Sequence, residues 1–227
     1  MFFIYSLIYI LLLPLLILRD LLTLDKNKLK TIQQKLGFNI PNVKNQTIWL
    51  HGVSLGEIKI LSPLAKKLSN QGQNILITST TNTGLEELNK NFSNSDIKIL
   101  PFPYDLEFAH KKIIINFKVN KIILFESEFW PNLLNAAKNL NVVSLNSTIS
   151  DTSFKRFKML KVFSKTLFSK IDLFLAQSKI TIDRLEFFGV KNIKHIGNIK
   201  INPENYSVDQ NRRNHYQKIL GTEKLNV

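Results

Sequence analysis

Apolar residues fill the first eighteen positions of this chain almost without a break, and no charged side chain precedes Arg19. Phe2, Phe3, Ile4, Leu7 and Ile8 lead into the unbroken runs Ile10 to Leu13 and Leu15 to Leu18. Coiled as a helix, such a stretch is about 27 Å long, against about 30 Å for the hydrocarbon core of a bilayer. Leu21, Leu22 and Leu24 continue the pattern past Arg19 and Asp20. A cleaved leader carries positive charge before its apolar run and small residues after it; neither is present here. Residues 1–24 therefore predict a membrane anchor helix, with a buried core helix as the competing reading. The following Lys26, Lys28, Lys30 and Lys35 place the remainder on the cytoplasmic face by the positive-inside rule, next to anionic lipid. The pattern alone does not separate a helix that spans from one that lies shallow in one leaflet.

From Gln46 onward the pattern changes to short β-branched runs separated by helical periodicity. Strands are predicted at Thr47–Leu50, Asn74–Thr78, Ile97–Leu100, Lys121–Phe125, Val142–Leu145, Leu173–Ala176 and Ile193–Ile196. Helices are predicted at Ile58–Asn70, Gly84–Asn91, Leu106–Asn116, Pro131–Leu140, Phe154–Ser169 and Ile180–Phe188. Runs such as Ile75-Leu76-Ile77 and Ile122 to Phe125 are apolar on both faces, as in a parallel sheet covered by helices on both sides. The fold class is thus α/β with a parallel, doubly wound sheet over residues 25–201. Polar residues Asn202–Asn211 read as a linker. A short helical pattern at Arg212–Leu220 follows, so residues 202–227 read as a linker and the start of another unit.

Composition narrows the chemistry. The chain has no cysteine, which excludes a disulfide framework and thiolate metal sites. Its histidines (His51, His110, His195 and His215) are scattered, with no pair at i, i+4, so no structural metal site is expected. The net charge of +14 suits polyanions. No nucleic-acid motif accompanies it, and Lys and Asn are abundant throughout, so nucleic acid is not expected as a partner. Lys155, Lys158, Lys161 and Lys165 recur every three or four residues, which predicts one basic face on a single helix. That face fits either anionic lipid or plain solvation.

In open α/β sheets, ligands bind beyond the carboxyl ends of the strands. After the first strand stands His51-Gly52-Val53-Ser54-Leu55-Gly56-Glu57. Its glycines allow close backbone approach to a ligand. Glu57 falls in the first turn of a helix, where the dipole favours negative charge, and a carboxylate at a cleft can accept a proton from a substrate hydroxyl. The same spacing, Ser54-x-x-Glu57, is also a capping box. After the second strand, Thr80, Thr81 and Thr83 line a helix N-terminus suited to an anion or a sugar, with a Thr83-x-x-Glu86 capping box as the alternative. Asp105, in Pro101-Phe102-Pro103-Tyr104-Asp105, is expected to cap the next helix. After the fourth strand, Glu126 and Glu128 lie beside Phe129 and Trp130, an arrangement that suits a cleft better than a sealed core.

Taken in order, the apolar N-terminus, HGVSLGE, STTNTG, LPFPYD, ESEFWPN, LNSTISDTS and GNIKIN resemble the Kdo (3-deoxy-D-manno-octulosonic acid) transferases of lipopolysaccharide synthesis, from about Met1 to Asn202. The resemblance implies the N-terminal, acceptor-binding, Rossmann-like domain of a GT-B glycosyltransferase at the cell inner membrane. It implies inverting transfer of Kdo from the donor CMP-Kdo to a lipid A precursor, with no cofactor and no bound metal. Glu57 matches the family's catalytic base, and Ser54 and Gly56 shape the loop around it. Glu126 and Glu128 match an acidic pair that positions groups in the cleft. Gly197, Asn198 and Lys200 match the motif that closes the N-terminal domain. Two departures stand out. The family usually has Asn-Ala-Arg where this chain has Asn146-Ser147-Thr148. The family is also nearly twice this length, so a C-terminal donor domain is expected in cis or trans, and residues 1–227 alone are expected to be inactive. A non-catalytic, membrane-bound lipid-binding module, or an inactive truncated transferase, is the alternative.

Overall fold

A computed structural model describes residues 2–23 and 27–201. The expected linker and the helical pattern at Arg212–Leu220 lie outside the described residues, as do Leu24, Lys26 and His215.

Seven strands form a single, wholly parallel sheet: β1 (Thr47–Gly52), β2 (Asn74–Ser79), β3 (Lys98–Pro101), β4 (Val119–Phe125), β5 (Asn141–Ser147), β6 (Leu173–Ala176) and β7 (Ile193–His195). Their spatial order is β3-β2-β1-β4-β5-β6-β7. The chain winds outward from β1 to β3, then returns to the other side of β1 with β4. The topological switch point, where loops on adjacent strands leave in opposite directions and open a crevice, therefore lies between β1 and β4.

Strand periodicity assigns each side chain to one of two cores. Ile48, Leu50, Ile75, Ile77 and Phe125 face a layer built by α3 (Leu55–Asn70) and α4 (Asn82–Phe92). Trp49, Leu76, Ile122, Leu124 and Val142 face the opposite layer. That layer includes α5 (Glu107–Asn116), α6 (Pro131–Ala136), α8 (Lys161–Phe168) and α9 (Lys179–Phe187). Both faces are covered, so β1 is buried at every position.

The remaining helices are α1 (Phe2–Thr23), α2 (Lys28–Lys35) and α7 (Asp151–Met159). Several of the expected helical features differ, among them α6, which ends at Ala136 and not at the expected Leu140. The single helix expected over Phe154–Ser169 is two, broken at Leu160 (φ −107°, ψ 42°). The four lysines consequently do not share one continuous helical face: Lys155 and Lys158 lie on α7, Lys161 and Lys165 on α8. No proline or glycine marks the break. Instead Phe154, Phe157, Phe168 and Phe188 pack edge to face across it, and the Ser164 hydroxyl donates to the Phe157 carbonyl at 2.9 Å.

Asp105 does not cap α5, whose N-cap is Leu106 without a side-chain bond. It caps α6, accepting from the Asn132 and Leu133 amides at 3.1 and 3.0 Å. The buried carboxylate also bonds His110 Nε2 at 2.8 Å and accepts from the Tyr5 hydroxyl of α1 at 2.9 Å. At the other end of α1, buried Asp20 accepts from Lys35 Nζ of α2 at 2.7 Å and from the Tyr104 hydroxyl at 2.8 Å. Burial, then the hydrogen bond to Asp20, raises the pKa of the Tyr104 hydroxyl well above the usual phenol range. Helix α1 is long and apolar enough to cross a membrane.

Candidate functional site

The residues singled out in the sequence gather at the carboxyl edge of the sheet, around the switch point. Glu57 sits in the first turn of α3, immediately after β1. Ser54 is the N-cap, its hydroxyl oxygen receiving the Glu57 amide. The carboxylate does not close a capping box on the Ser54 amide. One oxygen accepts from the Val53 amide at 2.7 Å and the other from the Ser54 hydroxyl at 2.9 Å. Both bonds fix its rotamer, and 8% of the residue remains exposed. A Cβ built on Gly52 would stand 3.2 Å from Glu57 Cβ and 2.9 Å from Leu61 Cδ1, so the strand's last residue is Gly because α3 crosses tightly against it.

The β2–α4 loop is tied to the same turn. Ser79 and Thr81 hydroxyls both donate to the Val53 carbonyl at 2.9 Å. Thr81 is the N-cap of α4, its side chain receiving the Gly84 amide at 3.2 Å, so the N-cap lies two residues before the expected Thr83 and the Thr83–Glu86 capping box does not form. The Thr83 hydroxyl meets Thr81 Oγ1 at 3.5 Å. Thr80 Oγ1 is buried without a hydrogen-bond partner.

Beyond β4, Glu126 adopts a left-handed backbone (φ 58°), a conformation costing a non-glycine residue about 1–2 kcal/mol. It is held there by its backbone N–H, which donates to the Leu145 carbonyl at 2.8 Å. The next residue adds a second tie, the Ser127 hydroxyl donating to the Thr148 carbonyl at 2.5 Å. The Glu126 carboxylate pairs with Lys200 Nζ at 2.5 Å. Asn146, also left-handed (φ 55°) and fully buried, accepts from the Ile199 amide at 3.2 Å. It thereby docks the 3-10 turn Ile199–Ile201 that carries Lys200.

Glu128 closes the other side. It accepts from Trp130 Nε1 at 2.7 Å and lies 3.7 Å from Nε2 of fully buried His51. The His51 ring stacks on Phe102 with centroids 3.7 Å apart. Its Nδ1 meets Thr78 Oγ1 at 3.0 Å, while Nε2 has no hydrogen-bond partner. Nδ1 also lies 3.3 Å from the Thr78 carbonyl oxygen.

Spacing alone offered no signal for several of these contributors. The His51–Phe102 stack, the Asn146 clasp and the Thr78 link join segments far apart in sequence. The structure thus brings Ser54, Glu57, Thr80, Thr81 and Thr83 together on one side of the switch point, and Glu126, Glu128 and Lys200 on the other. Gly56 is exposed, with nothing but Ser54 Oγ near its missing Cβ. A cavity of about 890 Å³ opens beside the β2–α4 loop, between α2 and α4. Asn27, Lys30, Gln34, Asn82 and Asn89 line it, and Glu57 is not among its walls. Among the described residues, no three His, Asp or Glu side chains gather closely enough to hold a metal ion.

A family described as 3-deoxy-D-manno-octulosonic-acid transferase (kdotransferase) matches residues 30–202. A bifunctional glycosyltransferase/methyltransferase of Fusobacterium nucleatum is 35% identical over 205 residues, covering 86% of this chain and 32% of that protein. The 3-deoxy-D-manno-octulosonic acid transferases of Chlamydophila psittaci and Chlamydia pneumoniae are 30% and 29% identical. They cover 84% and 75% of this chain, and 46% and 41% of their own lengths. The chain therefore spans less than half the length of these relatives. Among solved structures, a UDP-N-acetylglucosamine 2-epimerase superposes with a TM-score of 0.51 at 13% identity, covering 70% of this chain and 49% of that one. At that identity the likeness concerns the fold alone: the parallel α/β sheet of one GT-B-like half.

Proposed function

Because the chain belongs to the 3-deoxy-D-manno-octulosonic-acid transferase family, we propose that it supplies the acceptor-binding half and the catalytic base for moving Kdo from CMP-Kdo to a lipid A precursor at the cytoplasmic face of the inner membrane. The observation that carries this reading is Glu57. It stands at the switch-point crevice, its carboxylate oriented by the Val53 amide and the Ser54 hydroxyl. In this role the carboxylate takes the proton of an acceptor sugar hydroxyl as that oxygen attacks the anomeric carbon from the face opposite the departing CMP, inverting the centre. Glu128, oriented by Trp130, and the Glu126–Lys200 pair frame the other side of the crevice. Amide groups around the neighbouring cavity suit sugar hydroxyls, and its lining carries one cation, Lys30, and one carboxylate, Glu86. Residues 25–201 form the acceptor domain on this reading. Nucleotide contacts come from a second Rossmann-like domain in cis or trans, without which residues 1–227 do not turn over.

The test is transfer of Kdo to a lipid A precursor, followed by product mass, with the donor domain supplied. Glu57→Gln, which keeps the shape but not the proton affinity, is expected to lower the rate by roughly 10²–10⁴-fold while acceptor binding persists. A Glu57→Gln rate within threefold of the parent would return Glu57 to the role of a helix-start residue.

A further inference from the structure

We propose that α1 lies in the plane of an anionic bilayer, docked along its whole length on its own domain, instead of crossing the membrane. The proposal rests on reading the chain as membrane-attached and concerns how it is attached.

Helix α1 has two faces. Tyr5, Ser6, Tyr9, Leu13, Leu16 and Asp20 recur at three- and four-residue spacing and are all at least partly buried. Ser6 meets Asn132 at 2.7 Å and Tyr5 meets Asp105. Tyr9, Leu13 and Leu16 pack on Tyr104, Leu106 and Ala109, and Asp20 binds Lys35 and Tyr104. From Phe2 to Asp20 this docked stripe runs about 27 Å, nearly the thickness of a bilayer core. A helix crossing the membrane along this length has two choices. It could carry the polar loops after β3 and β4 into hydrocarbon with it. Otherwise it must leave them, stranding the buried Lys35 ammonium and the partners of Asp105 and Asn132. Lying in the plane requires neither.

The opposite face fits a lipid surface. Phe3, Leu7, Leu11, Leu15, Leu18 and Leu22 are exposed, and the exposed Arg19 beside the last three is paired with Asp20 at 2.9 Å. The surface continues past the start of α1, where Phe2 packs on Phe163 of α8 with centroids 5.1 Å apart and Lys170 sits over the Phe2 ring. Next to it, at the α7–α8 break, Met159, Leu160 and Val162 are 85%, 54% and 72% exposed. The exposed Lys155, Lys158, Lys161 and Lys165 flank them. Apolar side chains ringed by lysine are the complement of an acyl layer under anionic headgroups. The helix also touches the loops leaving β2, β3 and β4, through Asn82, Asp105 and Asn132. Membrane contact on its outer face thus brings the carboxyl edge of the sheet to headgroup level.

The chain has no cysteine, so depth is measurable with one environment-sensitive fluorophore on a single introduced cysteine. Phe3→Cys, Leu11→Cys, Leu22→Cys and Met159→Cys, each in the full chain on phosphatidylglycerol-containing vesicles, are read against lipids brominated at different depths. The expectation is similar, shallow quenching at all four positions, with Lys158→Gln and Lys161→Gln each weakening vesicle binding roughly fivefold. Position 11 at the bilayer centre with positions 3 and 22 at opposite interfaces would overturn the in-plane arrangement while leaving membrane attachment intact. A probe at position 159 that stays in water would overturn the contact at the α7–α8 break. Absence of vesicle binding by the parent chain would overturn the attachment itself.

Discussion

Gly52 and Gly56 flank one short loop, yet they meet different surroundings. At Gly52 a methyl group would press on Leu61 Cδ1 at 2.9 Å and on Glu57 Cβ at 3.2 Å, while at Gly56 the nearest atom is Ser54 Oγ at 3.9 Å. Gly52→Ala should therefore push the first turn of α3 outward and carry the Glu57 carboxylate with it. Displacements near 1 Å at a reacting group cost about 10²-fold in rate, so a loss of that order is expected in the transfer assay. Gly56→Ala should stay close to the parent, and circular dichroism should show both variants folded. Equal rates for the two would mean that the tight crossing does not position Glu57. At this scale the sequence exposed what is local: Ser54 and Glu57 are three residues apart, and the Ser54 cap on the Glu57 amide follows from spacing, whereas the carboxylate's bond to the Val53 amide does not. The surroundings of His51 were not legible, because Thr78, Phe102 and Glu128 reach it from the ends of three other strands.

Among elements, the strands were the easiest to read and the helix ends the hardest. All seven expected strands are present with boundaries within two residues, and the central ones are short apolar runs because helices bury both of their faces. Helix α2 escaped notice because its short sequence is mostly polar. Its buried side chains are Ile32 and Lys35, and Lys35 is buried in a pair with Asp20. The break between α7 and α8 was invisible for a similar reason, being set by aromatic packing instead of a breaker residue. Asp105 shows how far such a dependence reaches, because one carboxylate caps α6, bonds His110 of α5 and holds Tyr5 of α1. Asp105→Ala would leave two backbone amides and two side-chain groups without a partner in a buried site. A loss of about 3 kcal/mol or more is expected from penalties of about 1–3 kcal/mol per buried group, measured by urea unfolding in mild detergent. Asp105→Asn, which retains one acceptor oxygen, should lose less. A loss under about 1 kcal/mol for the alanine variant would show that water readily replaces Asp105.

For the molecule as a whole, the docking of α1 on its domain and its proposed membrane contact fall on opposite faces of the helix. Substitutions can therefore separate them. Leu11→Ser with Leu15→Ser changes exposed positions alone, so it should release the chain from vesicles while leaving the urea midpoint nearly unchanged. Asp20→Ala acts on the inner face, where Lys35 and Tyr104 lose their shared acceptor. The Lys35 side chain is only 5% exposed, and breaking a buried pair from one side costs about 3–5 kcal/mol. The unfolding midpoint should fall sharply while the apolar outer face, and with it vesicle affinity, is retained. A tethered span with an independent domain predicts the reverse for Asp20→Ala: no change in stability, because the helix would contribute nothing to the fold. Parallel urea titration and vesicle sedimentation of the two variants distinguish the arrangements. The docked helix requires that stability and membrane affinity move independently, one with each face.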